Sequence, residues 1–330
     1  MDMDVIFLGT SASTPTPGRA PSALLVRRGG ERLLFDCGEG TQRQLMRSTL
    51  GLPDLEEIFL THFHADHTLG LPGMLKTFAL RQRDVPLAVY GPPGLRDFFG
   101  GLRRIFGKLT YPIEIVELRA GEALERDGYR ILAVPVHHGV SALGYAIAED
   151  DRPGRFDVET ADALGVPPGP PRGALQRGES VTLDDGGVFT PDAVLGEART
   201  GRHIVITGDT APVETVQVLA EGADVLVHEA TFSEEERDRA ADTLHSTARQ
   251  AGEVAAAAGV RLLALTHFSP RYFGPELLEE ARSVFPNTVA PRDFDVIEVP
   301  FAERGEPVLV RRGARPRRGE EASELPGAAA

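Results

Sequence analysis

Three histidines and an aspartate fall within six consecutive positions of this 330-residue chain: His62, His64, Asp66 and His67. Neutral imidazole nitrogen and carboxylate oxygen are the donors that borderline cations such as zinc prefer, and so many together without a cation would repel and desolvate one another. A metal centre is therefore the chemistry this stretch points to, against the weaker alternative of a polar surface loop that happens to hold histidines. Glu57–Thr61 reads as a strand, so His62 and His64, two apart, leave its end on one side. Asp66 and His67 then lie on the turn beyond, free to face back.

More donors close other strands. Tyr129–Val136 delivers His137 and His138, and because adjacent side chains on extended backbone point oppositely, only one of the two should reach a metal. His203–Ile206 leads to Asp209, which is placed to bridge two cations; Asp224–Val227 leads to His228 and Glu229, and Leu262–Thr266 to His267. Asp36, leaving the strand Arg32–Phe35, suits the task of holding a ligand histidine by its second nitrogen. Acids and histidines often follow strands, but their accumulation favours one site assembled from many strand ends. His245, just before an alanine-rich helix that runs to about Ala258, has no spacing that singles it out.

The elements that must position these groups alternate between short apolar strands and helices. Val5–Gly9, Ser22–Val26, Leu87–Tyr90, Ile113–Leu118 and Leu143–Ala148 read as further strands, and residues 42–48, 70–80 and 95–106 as helices packed on a sheet. A chain of this length suits a two-sheet sandwich with helices outside. Residues 149–202 differ: they are rich in Pro, Gly, Asp and Arg, with no sustained period. They read either as a disordered insertion or as a small protruding substructure with strands near Ser180–Leu183 and Gly187–Phe189, and a long insertion of this kind in an enzyme is commonly a functional arm. After Val299 the basic run Arg311–Arg318 and an acidic, alanine-rich end read as a solvated tail.

The net charge of −14 disfavours non-specific attraction to membranes or nucleic acid, so any nucleic-acid substrate has to meet metal ions or clustered arginines. The absence of Trp weakens a base-stacking platform. The single cysteine, Cys37, excludes an internal disulfide, reads as a small buried hydrophobe, and with an N-terminus lacking a basic signal-type region sets the expectation of a soluble, cytoplasmic protein. No apolar run approaches the length of a membrane span.

Taken together, Phe7-Leu8-Gly9-Thr10, Phe35-Asp36-Cys37-Gly38-Glu39-Gly40-Thr41-Gln42, the His62–His67 stretch, Gly208-Asp209-Thr210, His228-Glu229-Ala230-Thr231-Phe232, His245-Ser246-Thr247 and His267-Phe268-Ser269-Pro270-Arg271-Tyr272 resemble the ribonuclease Z family, the tRNA 3′-processing endoribonucleases of the metallo-β-lactamase superfamily. The likeness runs from Val5 to about Pro300. It implies an α/β metallo-β-lactamase fold, a four-layer αββα sandwich of two mixed sheets. The catalytic domain would span 1–300, interrupted by a tRNA-binding flexible arm at 150–202 that carries the Gly165-Val166-Pro167-Pro168-Gly169-Pro170 signature, with 301–330 a largely disordered extension.

The resemblance also implies roles. His62, His64 and His138 would hold one zinc and Asp66, His67 and His267 the other, with Asp209 bridging and His137 left as a neighbour. Two Zn2+ per subunit are expected, with Mn2+ also suited to these ligands. The implied reaction removes the 3′ trailer from a tRNA precursor by two-metal hydroxide attack on the phosphodiester, leaving a tRNA 3′-hydroxyl. Asp66 would orient the water or take its proton, and His245, held by Glu229, would protonate the leaving oxygen. Arg19, Arg271, Arg155, Arg172 and Arg177 are the expected substrate contacts, with Arg152 adding to the arm's charge, and a cytoplasmic homodimer with no membrane or DNA partner is implied. One departure stands out: where the family commonly has Pro-x-Lys-x-Arg-Asn, this chain has Pro15-Thr16-Pro17-Gly18-Arg19-Ala20, which leaves the cleavage position and CCA handling open. Hydrolysis of a small phosphodiester or another RNA, of a lactone or of a thioester, an inactive RNA-processing subunit, and a metal-stapled structural protein are the readings this one competes with.

Overall fold

The computed structural model describes residues 1–52, 55–183, 186–272 and 274–312. The chain begins as a meander of β1 (Met3–Gly9), β2 (Ala23–Arg28) and β3 (Glu31–Phe35), then crosses over three times through helices. These crossovers are α1 (Thr41–Arg47) to β4 (Glu57–Phe59), α2 and α3 (Ala65–Thr68, Gly70–Leu80) to β5 (Leu87–Gly91), and α4 (Leu95–Phe106) to β6 (Ile113–Glu117). Because each crossover is helical, β3 to β6 run parallel. A second meander, β7 (Ala123–Arg126), β8 (Tyr129–Pro135) and β9 (Leu143–Glu149), starts the other sheet.

The insertion follows, with α5 (Val158–Ala163), α6 (Pro170–Gln176) and the hairpin β10–β11 (Val181–Thr182, Val188–Phe189). The second sheet then resumes with β12 (His203–Ile206), α7 (Glu214–Leu219), β13 (Val225–Glu229), α8 and α9 (Arg237–Thr243, Ala248–Ala258), β14 (Leu262–Thr266), α10 (Pro275–Val284) and β15 (Thr288–Val289). Finally β16 (Val296–Glu298) and β17 (Val308–Val310) return to the first sheet. Among the described residues the sheets have the orders β17-β16-β1-β2-β3-β4-β5-β6 and β15-β14-β13-β12-β9-β8-β7.

Side-chain alternation makes three apolar layers from two sheets. Met3, Val5 and Phe7 of β1 meet Ile204, Ile206, Val225 and Val227 between the sheets, whereas Ile6 and Leu8 face α1 and α3, and Val205, Leu226 and Leu263 face α7, α9 and α10. Phe35, Phe59 and Tyr90 stack across β3, β4 and β5 at 5.0 and 4.7 Å between ring centroids. Two hydrogen bonds tie the sheets together at one edge: Tyr145 Oη donates to the Leu60 carbonyl at 2.7 Å, and Leu143 N to the Thr61 carbonyl at 2.8 Å.

Some elements differ from the sequence expectation. The strand predicted over 57–61 closes at Phe59, because the Asp36 carboxylate captures the Thr61 amide at 2.8 Å. Asp66 and His67 lie on the short helix α2 rather than an open turn. The insertion is an ordered substructure: Ala161, Val166, Leu175 and Val194 form a small apolar core of their own, flanked by Phe156, Val181 and Phe189. The extension after residue 300 is not uniformly loose either, since β17 pairs with β16 in register Val296–Val310 to Glu298–Val308. The remainder of the expected tail, including Arg315, Arg317 and Arg318, lies outside the described residues.

Candidate metal centre

Parallel strands share a direction, and here both sheets turn the same kind of end to one edge. Asp36 leaves β3, His62 and His64 follow β4, His138 follows β8, Asp209 follows β12, and His267 follows β14. His62, His64, His138 and Asp209 bring one donor atom each within 4.8 Å of one another, as do Asp66, His67 and His267. Asp209 touches both groups, with Oδ2 3.7 Å from His62 Nε2 and 3.4 Å from His67 Nε2, and Oδ1 3.4 Å from His267 Nε2. His137 is exposed and contributes backbone alone, its amide donating to Thr210 Oγ1 at 3.0 Å.

The outer nitrogens decide what the inner ones can do. His67 Nδ1 donates to Asp36 Oδ2 at 2.7 Å, His138 Nδ1 to the Leu244 carbonyl at 3.1 Å, and His267 Nδ1 to Thr231 Oγ1 at 2.9 Å, while His62 Nδ1 lies 3.0 Å from Thr61 Oγ1. A neutral imidazole carries one N–H, so the proton that serves the outer partner leaves a lone pair facing inward. Those inward nitrogens face each other: His62 Nε2 to His64 Nδ1 at 3.0 Å, His138 Nε2 to His64 Nδ1 at 3.3 Å, and His67 Nε2 to His267 Nε2 at 3.3 Å. Lone pairs opposed at such distances, around a buried Asp209 Oδ1 that has no hydrogen-bond partner among the described residues, fit a divalent cation.

Protonation preferences differ from group to group across the cluster. Burial, followed by the neighbouring His67, pushes His62 down to about 2. Burial works against the charge of Asp209, yet the imidazoles of His267 and His67 hold its carboxyl well below the usual range. Burial also opposes charge on His67, which Asp209 and Asp36 nonetheless hold well above the ordinary imidazole value.

Beside this cluster, His245 Nδ1 donates to Glu229 Oε1 at 2.7 Å, leaving Nε2 as its available nitrogen. Its ring lies 5.0 Å from that of His138 and 5.6 Å from that of His267. Burial opposes its protonation, but the Glu229 carboxylate raises it to about 9. The local sequence fixes its place. Thr247 and Gln250 form a reciprocal cap at the start of α9, and Ser246 Oγ donates to the Thr210 carbonyl at 2.6 Å.

Two supporting groups escape the sequence reading. Thr231 Oγ1 donates to Glu229 Oε2 at 2.5 Å while receiving His267, so one hydroxyl links the two. The period-2 spacing from Glu229 was its only signal. The Ser13 amide donates to Asp66 Oδ2 at 2.6 Å, and a backbone amide leaves no mark in side-chain pattern. Asp36 and His267 both sit at positive φ, 60° and 57°, where local hydrogen bonding has to offset the backbone cost.

Four of the five arginines expected to meet substrate have side-chain partners within the chain. Arg19 NH1 donates to Thr10 Oγ1 at 2.6 Å and the Pro291 carbonyl at 2.9 Å, and its guanidinium lies 4.5 Å over the Phe268 ring, so it braces its own loop. Arg172 is turned into the arm, where it binds Asp162 and the Val166 carbonyl. Arg271 and Arg177 are exposed but paired, with Glu236 at 2.8 Å and Glu179 at 3.0 Å. Arg155 is exposed at the arm's root, with no ion pair among the described residues.

Residues 16–152 match the family model of the metallo-β-lactamase superfamily. Ribonuclease Z of Haloferax volcanii is 47% identical over 308 residues, 92% of this chain and 97% of that protein. Ribonuclease Z of Gemmatimonas aurantiaca is 49% identical, with 92% and 98% covered. The crystal structure of human tRNase Z, short form, superposes with a TM-score of 0.65 at 30% identity, covering 90% of this chain and all of that one.

Proposed function

Since this chain belongs to the ribonuclease Z family of the metallo-β-lactamase superfamily, we propose that it is the endoribonuclease that trims the 3′ trailer from tRNA precursors, leaving a 3′-hydroxyl. The observation that carries this reading is the His245–Glu229 pair set 2.7 Å apart against a cluster of seven converging metal donors. Such a pair supplies a proton at the edge of a centre that would polarise a phosphodiester.

The family binds divalent metal, and zinc is our choice for this His-rich, cysteine-free donor set, with two ions per subunit and manganese as the substitute. His62, His64 and His138 would hold one, Asp66, His67 and His267 the other, and Asp209 both. When bound, the two cations supply charge neutralisation at the scissile phosphate and a water acidic enough to attack at neutral pH. Asp66, steadied by the Ser13 amide, would orient the attacking water or take its proton. His245, kept cationic by Glu229, gives its Nε2 proton to the departing ribose 3′-oxygen.

The insertion at 150–202 serves as the arm that grips the tRNA away from the cut, and the protein works as a cytoplasmic homodimer. Among the described residues no helix is long and apolar enough to cross a membrane. The test is to incubate the purified protein with a 3′-extended tRNA precursor, with and without residues 155–195, and map the cut to the nucleotide. No cut by the intact protein would sink the assignment, while a cut indifferent to the deletion would remove only the arm's role.

A further inference from the structure

The arm leaves the sandwich on a stem of two antiparallel segments. Glu149 N donates to the Arg202 carbonyl at 2.9 Å, Arg152 and Arg199 exchange bonds of 2.7 and 2.8 Å, and Gly196 N reaches the Arg155 carbonyl at 3.0 Å. The segments pack backbone to backbone: a Cβ on Gly154 would lie 1.9 Å from the Gly196 carbonyl oxygen, and one on Gly201 2.2 Å from that of Glu149. A two-stranded ribbon is marginally stable by itself and bends easily about its root. Something else has to set its direction.

That something is the 3-10 turn Ala302–Arg304 and the residue before it. The Arg152 guanidinium lies 3.4 Å from the Phe301 ring centre and that of Arg202 4.2 Å from it, one from each strand of the stem. Glu303 takes Arg152 in a two-pronged grip, NH1 to Oε1 at 2.9 Å and NH2 to Oε2 at 3.0 Å, with Arg199 NH1 3.4 Å from Oε1. The hydrogen bond from Arg152 is foremost in holding the Glu303 carboxyl at about 2. Arg202 is further fixed to Glu149 at 2.7 Å and to the Val299 carbonyl at 3.2 Å, and Glu149 also takes Arg28 at 2.8 Å. Arg152 keeps this position although its Nε is buried without a partner among the described residues. The contacts thus join both strands of the stem to one point on the C-terminal segment.

We propose that Phe301 and Glu303 are positioning residues for tRNA recognition: they clasp the stem and hold the arm at the angle at which its head and the metal centre engage one substrate together. The proposal rests on the reading of the insertion as a tRNA-gripping arm. An arm free to swing presents its binding-competent direction for a fraction of the time, and apparent affinity falls by that fraction. The clasp therefore acts on binding of the large substrate and leaves the chemistry alone.

Phe301→Leu keeps apolar volume but removes the ring face, and Glu303→Gln keeps shape but removes the charge. In the double variant, KM for a 3′-extended tRNA precursor rises roughly tenfold, the scale of a partly desolvated guanidinium–ring contact, while saturating kcat and turnover of bis(p-nitrophenyl) phosphate stay within twofold. In protein lacking residues 155–195 the same substitutions change nothing further, because the clasp then has no arm to aim. An unchanged KM, or an equal loss on the small substrate, or an equal effect in the arm-deleted protein, overturns the clasp. Failure of the unmodified protein to cut the precursor overturns the functional assignment and the clasp with it.

Discussion

Asp36→Asn isolates how much one carboxylate outside the ligand set contributes to the metal centre. Asparagine tolerates the positive φ of 60° at this position, so the backbone is left in place. Asp36 Oδ1 accepts the Thr61 amide at 2.8 Å, and Oδ2 accepts His67 Nδ1 at 2.7 Å. An asparagine that keeps its oxygen on the Thr61 amide turns its NH2 toward a ring N–H, donor against donor. His67 escapes only by moving its proton to Nε2, the nitrogen that faces the cluster, or by turning away. Loss of such an orienting partner weakens metal binding about 10- to 100-fold, or about 1.4–2.8 kcal/mol. Leaving a buried donor unpaired costs a similar amount, about 1–3 kcal/mol. Zinc titration of metal-stripped protein against a chromophoric chelator resolves the two sites, and the expected result is weakening confined to the one built on Asp66, His67 and His267, with kcat recovering at saturating zinc. Two zincs held within twofold of the parent, or equal weakening of both, would refute the orienting role.

His245→Ala should leave zinc content intact and slow cleavage of the precursor by about 10²–10⁴-fold, the usual range for a lost proton donor. A nitrophenyl ester, whose leaving group needs no proton, should be spared, and equal damage to both substrates would dismiss the general acid. Glu229→Gln removes the charge that lifts His245 to about 9, so the alkaline limb of the kcat profile should fall toward the ordinary imidazole value of about 6.5. The sign for folding is the same: the pair stabilises fully below the unfolded imidazole value and loses its contribution as pH rises through about 9, and a limb that stays put in the variant contradicts it. Gly208→Ala meets φ of 62° and places a Cβ 2.8 Å from Thr61 Cβ and Cγ2. Backbone strain of about 1–2 kcal/mol and overpacking of about 1–3 kcal/mol should lower Tm by several degrees, and a calorimetric Tm within a degree of the parent would show that the loop gives way.

The ligand run was legible because four donors sit within six residues, and the strand-end acids and histidines because a two-residue period reveals where a strand points. The resemblance supplied the choice between His137 and His138, which alternation alone leaves open, and the structure places His138 against the cluster and His137 outside it. Groups whose significance is entirely tertiary left no such trace. Thr231 matters because of what lies across from it, and the Ser13 amide because the loop folds onto Asp66. The arginines' partners within the chain are equally invisible, since a guanidinium in sequence carries no sign of whether an aspartate or a carbonyl already awaits it, as Asp162 does for Arg172. The arm's apolar residues are too sparse for any period, yet Ala161, Val166, Leu175 and Val194 converge once two short helices and a hairpin bring them together.

The donors proposed for the metal centre belong to two different sheets: His62, His64, Asp66 and His67 follow a strand of the first, and His138, Asp209 and His267 follow strands of the second. Neither sheet alone holds a complete set, so a bound cation is a rivet across the seam of the sandwich, sensitive to any widening between its halves. Ligand that binds only the closed form stabilises it by about 2.7 kcal/mol at a hundred times its dissociation constant. Chelation and loosening of the seam at this edge would then be two sides of one linkage.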